Sequence, residues 1–463
     1  TIESKMESKR KTLLGPPEGK SACFLVDDII MPKPEQYGAQ PPLEVLRQYL
    51  GYGGFFNRKD LSWIDVNDLT IIAACQPPGG GRNMISPRLL SQFTQLYLNE
   101  PSEQSLNTIF KTILTVYFKR VKFPDTVTNL AEKVVKASVA LFDKVCQEFL
   151  PTPSRSHYTF NLRDLAHVFL GIRTGRPEVV YAPETLIDLW EHENFRIYSD
   201  RLVDKTDRDN FVDLITGLKK KFFQVDETEE RVRPVFTDFV SHDGYYRPVE
   251  QLPKLRKSLQ DFFDEHWPQK RLVFFDDAIL HICRVVRVLK QAPGNMMLVG
   301  VGGTGKRTTA RAASMLAGFD VAEPKLTNRY TRTEFRDDLK DLYIKCGVEG
   351  KSISFLIADE HIIDESFLED INCILNSGEV PNLFDDDETE KIITDISPLI
   401  KKLNLSFARD SILSFFINRV KTNLHIILAL SPIGSKFRIR CQMFPSLVNC
   451  CTIDWFDIWS DEA

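Results

Sequence analysis

Short apolar runs alternate with polar segments in the C-terminal part of the chain, and three of them predict buried strands. They lie at residues 296–299, 352–358 and 424–430, and each ends at a glycine, acidic or polar residue. Continuous apolar runs of this length are typical of strands covered on both faces, as in a parallel sheet. Residues 307–316 follow the first run and predict a helix, so this region has an α/β pattern.

Helical periodicity dominates residues 105–173. The strongest stretch, residues 131–150, carries apolar side chains at helical spacing and is stopped by Pro151 and Pro153. Further helices are predicted at residues 160–172, 184–195 and 276–289. These stretches predict an α-helical domain between two α/β segments.

The first 100 residues repeat part of the α/β pattern. One apolar strand ends in Asp27 and Asp28, and a second ends at Gln76. Residues 15–20 (GPPEGK) imitate a phosphate-binding loop but are one residue short, and their prolines remove N–H donors, so we interpret them as a turn. The first unit is therefore expected to begin midway through its core.

Three segments follow from these patterns. We assign residues 1–100 to the partial α/β core, residues 101–240 to a helical lid and connector, and residues 241–463 to a second α/β core. The charged residues 226–233 are expected to form a connector, and the acidic residues 385–390 a solvated loop.

Composition narrows the classes of partner. Lys and Arg total 59 against 64 Asp and Glu, a net charge of −5 that gives no basic bias toward nucleic acid. No apolar run approaches the roughly 20 residues needed to cross a membrane. The 9 cysteines form no C-x-x-C pair, which indicates reduced thiols, and the 8 histidines show no zinc spacing. The chain starts without an initiator Met or signal peptide, so we expect a fragment.

A phosphate-binding loop with one unusual residue follows the first predicted strand. Gly300, Gly305 and Lys306 fit the P-loop pattern, in which glycines let backbone N–H groups surround a phosphate and the lysine reaches the outer phosphates. Arg307 stands where a Ser or Thr hydroxyl would hold Mg²⁺, which puts the metal in doubt, and Thr308 is an imperfect substitute. The predicted nucleotide-binding residues are Gly300, Gly302, Gly303, Thr304, Gly305, Lys306, Arg307 and Thr308.

The second predicted strand ends in Asp359 and Glu360, which is the Walker B pattern. Such an aspartate binds Mg²⁺, and such a glutamate orients the water for in-line phosphoryl transfer. The third strand ends at Ser431, the place of the polar sensor 1 residue in AAA+ proteins.

Several long strings resemble one family, the dynein heavy chains, and axonemal ones in particular. They include residues 73–83 (AACQPPGGGRN), 157–165 (HYTFNLRDL), 365–372 (ESFLEDIN) and 443–451 (MFPSLVNCC). The resemblance implies AAA+ cores with a helical lid between them, covering part of the third and most of the fourth module of the motor ring. It also implies ATP or ADP and Mg²⁺ as ligands.

The resemblance assigns roles in the first unit and its lid. Asp27 matches the metal-binding Walker B acid, and Asp28 stands where a catalytic Glu is usual, with a carboxylate one methylene shorter. Gln76 takes the sensor 1 place, and Arg163 matches the sensor 2 arginine that contacts the γ-phosphate.

Arginine fingers are expected from neighbouring modules, where they offset transition-state charge. At the positions where the resemblance leads us to expect these arginines, this chain has Ser91 and Gln442. Arg88, Arg438 and Arg440 lie within a helical turn of those places, and Arg88 and Arg440 are our candidates for this role.

Two functions stay open. The chain is either a regulatory nucleotide-binding segment of an ATP-driven, minus-end-directed microtubule motor, or a structural ring segment without nucleotide turnover. The partners that the resemblance implies are the neighbouring AAA+ modules, dynein intermediate and light chains, and microtubules. The implied location is the cytoplasm and cytoskeleton, in the ciliary axoneme. An unrelated AAA+ remodelling enzyme is the remaining alternative.

Overall fold

Two compact units make up the chain, residues 1–100 and residues 101–463. The computed structural model describes nine stretches of them: residues 6–57, 60–76, 83–225, 233–239, 244–249, 251–270, 272–326, 330–403 and 406–457. Most of the expected charged connector, residues 226–232, lies outside these stretches.

The first unit is a small α/β structure. Its strands are β1 (Glu7–Arg10), β2 (Leu13–Gly15), β3 (Ala22–Val26), β4 (Gly54–Phe56), β5 (Trp63–Val66) and β6 (Leu69–Ala73), and its helices are α1 (Pro41–Tyr52) and α2 (Pro87–Leu90). β3 and β6 pair in parallel, whereas the other strands form a sheet in the order β1-β2-β5-β4. The two strands predicted to end at acidic and polar residues therefore lie side by side.

A helical domain begins the second unit. Its helices are α3 (Glu103–Val121), α4 (Asp125–Thr128), α5 (Ala131–Glu148), α6 (Leu162–Ile172), α7 (Pro183–Tyr198) and α8 (Lys205–Phe223). The apolar spacing predicted for α5 is its buried face, which includes Val134, Leu141 and Val145. Trp190 on α7 is fully buried in the same core, and its indole N–H donates to Ser138 Oγ at 2.8 Å.

A five-stranded parallel sheet forms the centre of the second α/β core. The strands of this sheet are β9 (Met296–Gly300), β10 (Asp320–Ala322), β11 (Ile353–Ala358), β12 (Leu424–Leu430) and β13 (Thr452–Phe456). Two short antiparallel strands, β7 (Phe236–Thr237) and β8 (Arg247–Pro248), precede the sheet in the chain. The strand order in the sheet is β10-β11-β12-β9-β13. Every residue of β9, β11 and β12 is buried, as continuous apolar runs predict for a sheet covered on both faces.

Helices cover both faces of this sheet. They are α9 (Leu252–His266), α10 (Asp276–Leu289), α11 (Lys306–Ala317), α12 (Arg332–Ile344), α13 (Ser366–Asn376), α14 (Asp386–Lys402), α15 (Arg409–Asn423), α16 (Lys436–Met443) and α17 (Ser446–Asn449). The predicted fold class, α/β cores with a parallel sheet and a helical domain between them, is confirmed.

The acidic residues 385–390 do not form the expected loop. Asp385 caps α14, and its carboxylate and that of Glu388 form a reciprocal capping box. Acidic residues in a first helical turn are stabilised by the helix dipole, so this run begins a helix.

Buried ion pairs join the helical domain to the P-loop core within the second unit. Arg284 on α10 contacts Asp200, which follows α7, at 2.9 Å, and Asp454 on β13 at 2.8 Å. The ring of His157 stacks on Trp455 of β13 with 5.1 Å between centroids. The two parts of this unit therefore share a polar and aromatic interface.

None of the described helices is both long and apolar enough to cross a bilayer.

Candidate functional site

The P-loop connects the buried strand β9 to helix α11. Gly303 and Gly305 have φ values of 88° and 78°, a left-handed conformation in which glycine has no steric cost. Gly300 is required for a different reason, because an added Cβ would lie 2.7 Å from Cβ of Phe456. Gly302 is exposed, and the Thr304 hydroxyl donates to the carbonyl of Val301 at 2.9 Å. The loop thus has the glycine-dependent geometry that the motif predicts.

Lys306 is the first residue of α11, and its ammonium group lies over the loop. Its Nζ donates to the carbonyl oxygens of Gly300 and Val301, both at 2.7 Å. Partial burial lowers the pKa of Lys306, and the carboxylate of Asp359 opposes that shift. The lysine is therefore held at the loop by weak acceptors that a phosphate would outcompete electrostatically.

The Walker B aspartate and the sensor 1 position meet at the carboxyl edge of the sheet. β11 and β12 pair in parallel register, with Ala358 opposite Ala429. Asp359 Oδ2 accepts the backbone N–H of Ser431 at 2.6 Å. The structure thus brings together two residues that the sequence predicted for one site, although 72 positions separate them.

Glu360 is exposed, but its carboxylate is paired with a cation. Arg307, the unusual P-loop residue, donates from Nη1 to Glu360 and from Nη2 to Glu323 at 3.1 Å. Arg311, one turn further along α11, also pairs with Glu323, at 2.6 Å. Two arginines and two glutamates therefore form a charge-balanced cluster beside the P-loop.

His361 completes this edge of the site. Its Nδ1 accepts the backbone N–H of Ala358 at 3.2 Å, and its Nε2 lies 3.6 Å from Glu360. Burial, followed by the positive charge of Arg307, lowers the pKa of His361. The imidazole is therefore neutral near pH 7 and steadies the turn that carries Asp359 and Glu360.

The structure changes the interpretation of Arg440. We predicted it as a finger for a neighbouring module, but its side chain is only 5% exposed. Its Nη1 donates to Asp359 Oδ1 at 2.7 Å, and its Nη2 donates to Glu365 at 2.9 Å. The reason is helical spacing: Arg440 lies on the inward face of α16 with Phe437 and is held in its own core.

The donors in this core do not fit Mg²⁺. A guanidinium replaces the hydroxyl at position 307, and both oxygens of Asp359 already accept hydrogen bonds from Ser431 and Arg440. Thr308 follows Arg307 on α11, but successive helical residues lie about 100° apart, so it does not share the same direction.

The predicted residues of the first unit lie at one edge of its parallel strands. Asp27 follows β3 and is exposed, and Asp28 adopts a left-handed φ of 48° with its N–H bonded to Asp27 Oδ1 at 3.1 Å. The backbone N–H of Ile29 bonds to the carbonyl of Ala74, two residues before the exposed Gln76. Their proposed roles in nucleotide binding stay predictions.

The two remaining predicted arginines each lie in the first turn of a helix. Arg88 is exposed in α2, whose first turn is capped by Ser86. Arg163 is exposed in the first turn of α6, and its Nη1 lies 3.9 Å from the sulfur of Cys450. Their roles as finger and sensor 2 residues also stay predictions.

Three residues of the site were missed in the sequence. Glu323 pairs with both Arg307 and Arg311, and Glu365 holds Arg440. Glu323 had a usable signal, because it directly follows β10, the strand beside β11, and strand ends of a parallel sheet meet at one edge.

A parallel sheet, a P-loop at the start of α11 and acidic residues at the end of β11, which β12 separates from β9, define a class of protein. The second unit is a P-loop core of AAA+ type, with a helical lid domain before it.

Comparison with known families agrees over most of the chain. Residues 1–101 match a P-loop containing dynein motor region, residues 134–233 match the AAA+ lid domain, and residues 271–463 match the P-loop containing dynein motor region D4. The chain therefore belongs to the dynein heavy chain family, as its sequence predicted.

Curated relatives align with the whole chain. It is 43% identical to human dynein axonemal heavy chain 6 and 40% identical to human dynein axonemal heavy chain 1, and it covers 11% of each. It is 38% identical to the dynein-1-beta heavy chain of the flagellar inner arm I1 complex of Chlamydomonas reinhardtii, of which it covers 10%. The chain thus spans about a tenth of the length of these relatives.

Proposed function

We propose that this chain is a nucleotide-binding segment of the ring of an axonemal dynein motor. The observation that carries the proposal is the P-loop, whose left-handed glycines and Lys306 lie at the N-terminus of α11. Backbone N–H groups at such a helix start favour phosphate, and a lysine ammonium adds a point charge. The ligand is therefore ATP or ADP.

In a full-length heavy chain this segment would contribute to ATP-driven, minus-end-directed movement along microtubules and to ciliary beating. Its partners would be the neighbouring AAA+ modules, with intermediate and light chains and microtubules engaged elsewhere on the heavy chain. Its location would be the axoneme. The axonemal names of the aligned relatives support this assignment.

Replacing Lys306 by alanine is expected to weaken nucleotide binding by about a hundredfold or more. The substitution removes the ammonium charge that the P-loop motif supplies to the outer phosphates. Equilibrium titration of the full chain with fluorescent ADP and ATP measures the effect.

An exposed lysine supplies the matched control. Lys401 lies in the last turn of α14, and Lys401→Ala should bind nucleotide as the parent chain does. Equal affinity of the parent chain and Lys306→Ala would contradict the proposal, as would a parent chain that binds no nucleotide at millimolar concentration.

A structural ring segment without nucleotide turnover is the second candidate. The ion pair between Arg307 and Glu360 favours it, because a carboxylate committed to a guanidinium does not polarise water. On this reading the rate of phosphate release at saturating ATP is the same for the parent chain and Glu360→Gln. A clear loss of rate in Glu360→Gln would instead favour an active site.

A further inference from the structure

The cluster around Arg307 has a consequence for the kind of nucleotide that the P-loop accepts. We propose that the guanidinium of Arg307 replaces the divalent cation, so that this site binds ADP or ATP as the free anion, without Mg²⁺. The inference rests on the proposed function, since it concerns how the same P-loop holds its ligand.

Arg307 occupies the position at which a P-loop usually has its metal-binding hydroxyl. It is the second residue of α11, directly after Lys306. Arginine carries a permanent positive charge and five N–H donors in a fork that matches phosphate oxygens. A cationic donor group is therefore built into the place that a metal would occupy.

Two carboxylates hold the side chain of Arg307 in place. The guanidinium bridges Glu360 at the Walker B position and Glu323 after β10. Its Nε is buried and makes no hydrogen bond within the stretches that the structure describes. The bridge holds the guanidinium at the carboxyl edge of the sheet, with donor capacity left for a further acceptor.

The Walker B carboxylate of Asp359 already has two hydrogen-bond donors. Asp359 accepts one hydrogen bond from Ser431 N–H and one from Arg440, which is itself held by Glu365. Arg440 Nη1 lies 2.7 Å from Asp359 Oδ1, so a divalent cation bound to this carboxylate would lie close to a charged guanidinium. Like charges at such distances repel strongly in a partly buried site.

Mg²⁺ in solution should then compete with the protein for the nucleotide. Binding of ADP to the parent chain is therefore expected to be weaker in millimolar Mg²⁺ than in EDTA, because Mg²⁺ complexes the free nucleotide anion. Arg307→Ser restores the usual hydroxyl, so its binding should become tighter in Mg²⁺ than in EDTA by about tenfold or more. Arg307→Lys keeps the charge and should respond to Mg²⁺ as the parent chain does.

The experiment is isothermal titration of the full chain with ADP, in EDTA and in Mg²⁺. Electron paramagnetic resonance with Mn²⁺ in place of Mg²⁺ gives a second readout, independent of affinity and of activity. We expect ADP-dependent uptake of Mn²⁺ by Arg307→Ser and none by the parent chain.

The control is Arg409→Ser, which removes an arginine from the first turn of α15, where it pairs with Glu390 on the surface. It should titrate as the parent chain does, and far-ultraviolet circular dichroism checks that each variant is folded.

Two results would overturn the inference in distinguishable ways. ADP binding by the parent chain that tightens about tenfold in Mg²⁺, with Mn²⁺ uptake, would overturn it while leaving the proposed function intact. Absence of ADP binding in both conditions would overturn the proposed function, and the inference with it.

Discussion

Replacing Arg284 by methionine is expected to lower the free energy of unfolding of the second unit by about 3–5 kcal/mol. Asp454 is fully buried on β13, and Asp200 is buried beside the helical domain. Burial works against the charge of Arg284, but Asp200 and Asp454 outweigh it and raise the pKa of this guanidinium. Without Arg284 two buried carboxylates lose their shared partner.

The measurement is urea unfolding of the full chain followed by tryptophan fluorescence. Arg256→Met is the matched control, because Arg256 pairs with Asp276 on the surface and exposed pairs contribute roughly 0–1 kcal/mol. Should Arg284→Met fail to fold, Arg284→Lys keeps the charge and should lie between it and the parent chain. A loss in Arg284→Met no larger than in Arg256→Met would show that this interface does not depend on the ion pairs.

Acidification from pH 6.5 to pH 4 is expected to destabilise the second unit by several kcal/mol. Burial lowers the pKa of His157 to about 4 and that of His192 to about 4. In the unfolded chain both titrate near the ordinary value of 6.5, so the unfolded state binds more protons in this window and stability falls as pH falls. A shift of this size corresponds to roughly 3 kcal/mol for each histidine.

The surroundings of His157 explain the cost of its protonation. Its Nε2 bonds to the carbonyl of Arg201 at 3.0 Å, whereas its Nδ1 is buried without a hydrogen-bond partner within the described residues. A proton on Nδ1 would create a buried charge and an unsatisfied donor at the stacking contact with Trp455.

Urea unfolding at a series of pH values between 7 and about 4.5 measures this dependence. His157→Gln should reduce the slope, since glutamine does not titrate, and His266→Gln, which replaces an exposed histidine of α9, is the matched surface control. A slope in His157→Gln equal to that of the parent chain would refute the assignment.

Local patterns predicted the elements well where apolar spacing was strong. The helix expected at residues 276–289 is α10 (Asp276–Leu289), because its apolar face packs against the sheet. The acidic start of α14 was missed, since exposed acids resemble a loop unless the capping pair of Asp385 and Glu388 is recognised.

The motifs located the site, but its contacts could not be derived from them. Arg307 was recognised as unusual, yet its partner Glu360 is 53 positions away and Glu323 is 16 away, and only the sheet order brings both to it. Arg440 was predicted to reach a neighbouring module because it lies close to Gln442 in the sequence. Its spacing from Phe437 instead predicts that it lies on the buried face of α16. Ion-pair partners that are distant in the sequence can be identified only once the fold is known.

A crystal structure of the full chain with ADP, grown without divalent cation, tests the central claim most directly. The account predicts both phosphates on the backbone N–H groups at the start of α11, with Lys306 Nζ moved from the carbonyls of Gly300 and Val301 to phosphate oxygens. A P-loop without ADP at saturating concentration, with Lys306 still on those carbonyls, would contradict nucleotide binding by this chain.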